Sequence, residues 1–578
     1  MRLGSGGPAR AAVPLLVGLA AVGVGYGLSV GLPSYIVYLG TSAIVAAIAI
    51  LGLGVVTGSA GMIALCQLTF AAVGAWVVSG LNLINAPGGF VGWLVAGGLA
   101  AGAVGVVVGL PALRLRGVNL AVVTLGLAAA ADLALVQTQF PGSTSGTFVT
   151  RPDAFSDDRG YFFLAVLVLV VCAVLVYFLQ LGRWGSGWRS VAFSERATAS
   201  VGASVSVSKL TAFAVSATLG GVSGGLVAGQ VGLVFAASFT PIQSLALYVL
   251  AIMSGAHLID MAVLGGILWV VVPELLKRWG IPQDWGFVVF GVLGVQALTS
   301  GSNLGTALRE LWWRRSRGTA SMTLQGAAPE LAAAPVAPRA SGGRPVLTVS
   351  GLSVTFGEVK ALRGVDLEVA EHAVVGLIGP NGAGKSTMVD AISGFLPQAE
   401  GTITLDGQSL AGHSPARRAR RGLRRTFQQN RVPPSLTVEA YLRFVARRRL
   451  SPTEIADVLD FFGCPPAHTR LATVEAGTRR LVEVVGQLLS RPRVLLLDEP
   501  AAGLSHEEHV AFGERLRQVP DRFGVSVLLI EHDLDLVRSV CDTITVLDFG
   551  EVLASGPQQE VLANPAVLKA YMGETEML

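Results

Sequence analysis

Gly379-Pro380-Asn381-Gly382-Ala383-Gly384-Lys385-Ser386-Thr387 is the stretch from which the rest of this sequence can be read. It fits the pattern G-x-x-x-x-G-K-[ST] without a mismatch. The apolar run Ala373 to Ile378 before it predicts a buried strand, and Ser386 to Ser393 after it is helix-competent. In that setting Gly379, Gly382 and Gly384 let backbone amides turn inward around phosphate oxygens, with Pro380, Asn381 and Ala383 completing the loop. The helix N-terminus adds partial positive charge at the same point. Lys385 is expected to reach the β- and γ-phosphates, and Ser386, followed by Thr387, to offer its hydroxyl to Mg²⁺. The loop by itself specifies a nucleotide and Mg²⁺, and leaves ATP and GTP equally open.

Working outward, Val494 to Leu497 is an apolar strand that ends in Asp498-Glu499-Pro500. A buried strand has little reason to end in adjacent carboxylates unless a cation or a proton-transfer task is near. Asp498 is therefore assigned to Mg²⁺ through water and Glu499 to polarising the attacking water. Val525 to Ile530 predicts another buried strand, and the Glu531-His532-Asp533 that follows puts His532 in position to contact the γ-phosphate. Thr426-Phe427-Gln428-Gln429 follows an Arg-rich helix, and Gln428 is expected to sense Mg²⁺ and γ-phosphate and to contact the apolar N-terminal half. Upstream, Val346 to Leu352 reads as a strand; Phe356 is either a core residue or, given the phosphate loop, a platform for adenine. Gly401 to Gly407 gives a further strand and turn.

That serial order resembles the ATPases of ABC transporters over about residues 346–576. Ala501-Ala502-Gly503-Leu504 and the ending from Asn564-Pro565-Ala566-Val567 through Ala570-Tyr571-Met572-Gly573-Glu574 look most like those of branched-chain amino acid importers. The resemblance implies an α/β P-loop fold, ATP as the nucleotide, and ATP hydrolysis. One element departs from it. The signature L-S-G-G-Q falls, by distance from Asp498, on Val474-Glu475-Ala476-Gly477-Thr478, where only Gly477 is retained. In this family the signature closes over the γ-phosphate held by the opposite ATPase, so Glu475 is expected to repel it. Thr478 ends the degenerate motif. The expectation is a heterodimer, in which this chain's phosphate loop faces an intact signature on a second ATPase subunit.

The N-terminal half is of another kind. At 578 residues the chain is too long for one ordinary core. Its 14% charged residues and mean hydropathy of +0.61 depart from soluble proteins, of which about a quarter of residues are charged. Most charges lie beyond residue 318, where acids slightly outnumber bases, so the net charge of +4 does not point to nucleic acid. The four cysteines, Cys66, Cys172, Cys464 and Cys541, have neither C-x-x-C spacing nor a His cluster, which argues against a disulfide framework or a metal site of that kind. Apolar runs of about 20 residues predict ten transmembrane helices, near 11–32, 34–56, 61–84, 90–112, 118–138, 161–182, 209–233, 240–256, 259–277 and 285–301. With the N-terminus inside, Arg114 and Arg116, then Arg183, Arg189, Arg196 and Lys209, then Arg309, Arg314, Arg315 and Arg317 fall on the cytoplasmic side; Lys277 and Arg278 count against this. Asp132 in the fifth span is a functional carboxylate or a snorkelling one. Gln67 in the third either bonds helix to helix or lines a pathway.

Leu113-Arg114-Leu115-Arg116-Gly117 through Thr124-Leu125-Gly126 resembles the permeases of branched-chain amino acid importers, of the second kind. So do Ser194-Glu195-Arg196-Ala197 with Gly202, Lys209-Leu210 and Ala212-Phe213, then Gly265-Gly266 and Pro273-Glu274-Leu275-Leu276; the resemblance covers about 34–300. Ala128-Ala129-Ala130 stands where the family carries a Glu. Arg183 to Ser208 is expected to form a short helix lying on the membrane and to serve as the coupling loop.

The fold class expected is thus a polytopic all-α membrane domain (1–315), an Ala/Pro-rich flexible linker (316–344) and an α/β ABC ATPase domain (345–578). The resemblance implies a plasma-membrane importer subunit with its ATPase in the cytoplasm. Its partners would be a second permease, a second ATPase, an external solute-binding protein and lipid, with no nucleic acid. Branched-chain amino acids are the expected cargo, with urea or short amides as the alternative. An ABC exporter fits less well, because exporter helices extend far into the cytoplasm and the longest internal loop here is Arg183 to Ser208.

Overall fold

The computed structural model describes residues 7–115, 117–255, 258–300, 303–305 and 343–572. It divides into two units, one formed by Met1–Trp188 and Ser206–Thr323 and the other by Arg189–Val205 and Leu324–Leu578. Up to residue 342 the expected linker lies outside the described residues, as do Arg116, Arg309, Arg314, Arg315 and Arg317.

In the first unit, helices stand at all ten expected places: Gly7–Gly31, Ser34–Leu53, Gln67–Leu83, Gly89–Gly109, Val118–Thr138, Asp158–Leu181, Val205–Val231, Pro241–Ser254, Met261–Arg278 and Trp285–Ser300. Long uncharged apolar runs favour helices because each backbone group is satisfied within its own segment. Among the described residues, seven helices are long and apolar enough to cross a membrane. Gln67–Leu83 is shorter than the expected 61–84. The chain ahead of it winds as a π-helix over Gly54–Ser59, turns at Gly61 (φ 67°) and runs unwound to Cys66. The amides freed there find side chains: Leu65 N–H donates to Thr124 Oγ1 (3.0 Å) and Leu68 N–H to Ser244 Oγ (3.3 Å). Non-helical backbone at that depth is tolerated because it is satisfied inside the protein.

Gln67 is buried among these elements. Its amide donates to the carbonyls of Ala49 and Ser216 (3.1 Å each) and accepts from Ser216 Oγ (3.0 Å), the helix-to-helix alternative. Gln67–Leu83 and Val205–Val231 approach so closely that a Cβ on Gly224 would lie 1.8 Å from the Ala71 carbonyl oxygen. Only glycine fits such a crossing. Asp132 is half-buried.

The second unit carries ten strands: β1 (Pro345–Phe356), β2 (Val359–Ala370), β3 (Val374–Ile378), β4 (Glu400–Leu405), β5 (Gln408–Ser409), β6 (Leu423–Arg425), β7 (Val494–Asp498), β8 (Ser526–Ile530), β9 (Thr543–Asp548) and β10 (Glu551–Pro557). They form an antiparallel sheet in the order β2-β1-β4-β5 and a six-stranded sheet in the order β10-β9-β3-β8-β7-β6. Every residue of β3, β7 and β8 is buried, as expected of parallel strands covered on both faces, and that is why they read as unbroken apolar runs. Because β3 pairs parallel with β8 and β8 with β7, their C-terminal ends come out on one edge: Leu377 lies beside Ile530, and Ile530 beside Asp498.

The Arg-rich helix is Pro415–Arg420; Arg424 and Arg425 instead belong to β6 and are buried. The segment expected to lie on the membrane as one short helix forms two, Arg183–Phe193 and Glu195–Ser200, and Arg189–Val205 belongs to the second unit. The cause is packing: Val201 and Ala203 are buried in the same hydrophobic cluster as Tyr441, Phe444 and Val485, leaving them no face for lipid.

Candidate functional site

The phosphate-loop residues emerge where β3 ends. Gly379, Gly382 and Gly384 take φ of 148°, 85° and 103°, and a Cβ on Gly379 would meet the Leu547 carbonyl oxygen at 2.1 Å. Helix Lys385–Ile392 starts directly behind the loop. Lys385 Nζ donates back to the carbonyls of Gly379 (2.6 Å) and Pro380 (2.9 Å), which holds the ammonium within the turn. Burial pushes its pKa down, and the charges of Glu499 and Asp498 oppose that. Ser386 is exposed on the first turn and Thr387 half-buried beside it.

Three residues far apart in sequence meet at the neighbouring strand ends. Glu499 sits in the left-handed region (φ 46°), a strained conformation for a side-chain-bearing residue, and its N–H donates to the Ile530 carbonyl (2.9 Å). That turn aims the carboxylate away from the strand. Gln428 Nε2 donates to Glu499 Oε2 (3.0 Å), and His532 Nδ1 stands 3.9 Å from Glu499 Oε1. Asp498, one residue earlier, is buried; burial pushes its carboxyl up while the Arg425 guanidinium opposes this.

Phe356 is the exposed last residue of β1, and the strand paired with it, β2, packs on the loop: a Cβ on Gly384 would lie 2.8 Å from the Ala361 carbonyl oxygen. Glu475 is exposed and caps helix Ala476–Leu488 from an extended conformation (φ −62°, ψ 157°), without a side-chain cap bond. Gly477 is buried, with Gly503 O only 2.7 Å from where a Cβ would be, and Thr478 is half-buried. The retained glycine is thus the position that has no room for a side chain.

Residues that sequence reasoning missed surround Asp498. Arg425 Nη2 donates to Asp498 Oδ2 (3.1 Å) and its Nη1 to Asp390 Oδ1. Arg480 Nη2 donates to the carbonyls of Asp498 (2.9 Å) and Glu499 (2.8 Å), fixing the backbone of the acidic pair. Glu531 is buried and accepts from the amides of Ala501 (3.5 Å) and His532 (3.3 Å). The signal was weak: arginines in a basic run read as solvated until a partner carboxylate is known.

As to a divalent cation, the available donors are a hydroxyl (Ser386), an amide oxygen (Gln428) and a carboxylate (Asp498). These are the hard oxygen ligands that Mg²⁺ takes, and they fit it. No group of three or more His, Cys, Asp or Glu is arranged for a metal among the described residues. Among the described residues Mg²⁺ would have no all-protein cage, and these donors would hold it together with a ligand that brings oxygens of its own, such as a polyphosphate.

Residues 362–502 match the family described as ABC transporter, residues 35–298 that described as branched-chain amino acid transport system / permease component, and residues 551–576 that described as branched-chain amino acid ATP-binding cassette transporter. The chain is 38% identical over 255 residues to the high-affinity branched-chain amino acid transport ATP-binding protein BraF of Pseudomonas aeruginosa, spanning 40% of this chain and 99% of that protein. It is 35% identical over 252 residues to LivG of Salmonella typhimurium, again spanning 40% of this chain and 99% of the relative. Among solved structures, an ATP-binding cassette of an ABC transporter in its ADP conformation is 28% identical, with a TM-score of 0.37, over 40% of this chain and all of that one.

Proposed function

From the premise that this chain belongs to the branched-chain amino acid family of ABC transporters, with permease and ATP-binding components in one polypeptide, we propose that it drives uptake of branched-chain amino acids across the plasma membrane. Its second unit is an ATP-hydrolysing cassette. Among the described residues of the membrane half seven helices are able to cross a bilayer by length and composition, and we read all ten helices as crossings, the cassette being cytoplasmic.

The observation that carries the reading is the convergence of Gln428 and Glu499 at 3.0 Å, with His532 alongside, on the sheet edge from which the loop with Lys385 emerges. In this reading the loop amides from Gly379 to Gly384 hold the phosphates of ATP, Lys385 binds the β- and γ-phosphates, and Glu499 polarises the attacking water. His532 touches the γ-phosphate and Phe356 offers adenine a face. Ser386, Gln428 and, through water, Asp498 would hold Mg²⁺, which when bound neutralises charge developing on the phosphates. The linker, 316–344, would tether two separately folding domains, 1–315 and 345–578.

Family membership implies assembly with other subunits and a solute-binding protein. We propose that these include a second permease and a second ATPase whose signature is intact. The support is Glu475: exposed at a helix N-terminus, it puts a carboxylate where the opposite ATPase's γ-phosphate would be stabilised. The test is ATPase activity of the full chain alone and with a partner ATPase, alongside uptake of labelled leucine and of labelled urea. Leucine uptake that needs the partner supports the reading. Full hydrolysis by the chain alone refutes the heterodimer, and urea uptake without leucine uptake refutes the cargo.

A further inference from the structure

Asp390 lies on the helix behind the phosphate loop, in the turn after Lys385–Val389, and two guanidinium groups share its carboxylate. Arg196 Nη2 donates to Oδ2 (2.5 Å) and Arg425 Nη1 to Oδ1, while Arg425 Nη2 reaches Asp498 Oδ2 (3.1 Å). The result is an unbroken ladder of alternating charge from helix Glu195–Ser200 to the end of β7. Arg425 is the rung between two carboxylates; its side chain is 5% exposed and that of Asp498 is 7% exposed. Aromatic faces hold the rungs in place: Arg196 lies over Phe395 (4.7 Å) and Arg425 over Phe427 (4.7 Å). The segment that supplies Arg196 is fixed at further points. Arg431 Nη1 donates to Ser194 Oγ (3.1 Å) and Arg420 Nη1 to the Gly202 carbonyl (3.0 Å).

We propose that Arg425 is a positioning residue that sets how strongly Asp498 holds a divalent cation, according to whether Arg196 engages Asp390. The reasoning is electrostatic. With Arg196 engaged, one carboxylate is divided between two cations, and Arg425 keeps most of its charge toward Asp498, in competition with a metal. With Arg196 withdrawn, Asp390 neutralises Arg425 and Asp498 is released to the cation. Docking of the 189–205 segment is in this way converted into a change of metal affinity at the nucleotide, with no backbone movement required. The inference rests on reading Asp498 as the metal-facing carboxylate.

The experiment uses the full chain in lipid nanodiscs, with ATP and Mn²⁺ as probes. Electron paramagnetic resonance gives the Mn²⁺ concentration that half-saturates ATP-dependent binding, and no turnover is required. Arg196→Gln is expected to lower that concentration about fivefold and Asp390→Asn to raise it about fivefold, at effective dielectrics of ~20. In an Arg425→Lys background, which keeps the charge but loses the fork that spans both carboxylates, Arg196→Gln should move it no further. Opposite signs for the two single variants are what a merely structural role does not produce. Shifts of the same sign, or none, overturn the ladder while leaving the nucleotide site intact. Absence of ATP-dependent Mn²⁺ binding in the unmodified chain overturns the reading of Asp498, and the ladder with it.

Discussion

At the scale of single residues, the strongest consequences come from carboxylates. Glu499 is turned out of its strand by a left-handed φ of 46° and held by Gln428. Glu499→Gln keeps the shape and the hydrogen-bonding capacity but removes the base proposed above. Hydrolysis is expected to fall by at least about 10²-fold while ATP remains bound, measured as phosphate release and retained labelled nucleotide. Persistent turnover would mean that the attacking water is polarised elsewhere. Glu483 is a second case. Burial pushes its carboxyl from 4.5 up to about 7, against the opposing charge of Arg480, and its Oε2 has no hydrogen-bond partner. Between these values the folded protein keeps a proton that the unfolded chain has released, so this residue's contribution to stability falls as pH rises through that window. Glu483→Gln is expected to raise the melting temperature of the cassette at pH 8 and to change it little at pH 4.5. An equal change at both pH values would show that ionisation is not the cause. Burial raises the Asp498 carboxyl too, but there the Arg425 guanidinium opposes it, so removing Arg425 takes away the cation that Asp498 and Asp390 share.

At the scale of elements, the legibility of the sequence depended on whether an element's role is local. The phosphate loop, β3, β7 and β8 could be located because burial on both faces demands continuous apolar runs and a turn to the phosphates demands glycine. The helix expected over 61–84 begins only at Gln67. Residues 61–66 are as apolar as a helix, and their non-helical course is supported from far along the chain, where Thr124 accepts from the Leu65 amide and Ser244 from that of Leu68 in the first turn of the helix that follows. The glycine-rich crossing of Gln67–Leu83 and Val205–Val231 gives a direct test. Gly224→Ala pushes a Cβ into the Ala71 backbone and should cost about 1–3 kcal/mol, seen as a lower melting temperature in detergent. Gly126→Ala, with nothing within 4 Å of its Cβ, should not. Equal effects would show that helix propensity, not contact, governs both sites.

At the scale of the whole molecule, the question is what completes the site. Glu475 stands at the N-terminus of Ala476–Leu488, where the helix dipole favours an acid but an opposing γ-phosphate would not. Glu475→Ser should therefore increase phosphate release by the chain on its own by about tenfold or more, on the scale of restoring one transition-state donor. With a partner ATPase present the gain should be smaller. No gain in either setting would place the weakness of the second site elsewhere. The sequence by itself determined the two halves, the places of ten apolar helices, five of the strands, the phosphate loop and the acidic strand end, because each is written in contiguous residues whose spacing is imposed by local geometry. Only the tertiary structure decided that Arg189–Val205 belongs with the cassette, that Gln67 is consumed by helix-to-helix bonds, and that Arg196, Asp390, Arg425 and Asp498 form one ladder. Those outcomes depend on which distant partner a buried charge or amide finds, and the neighbours of a residue in sequence carry no record of that choice.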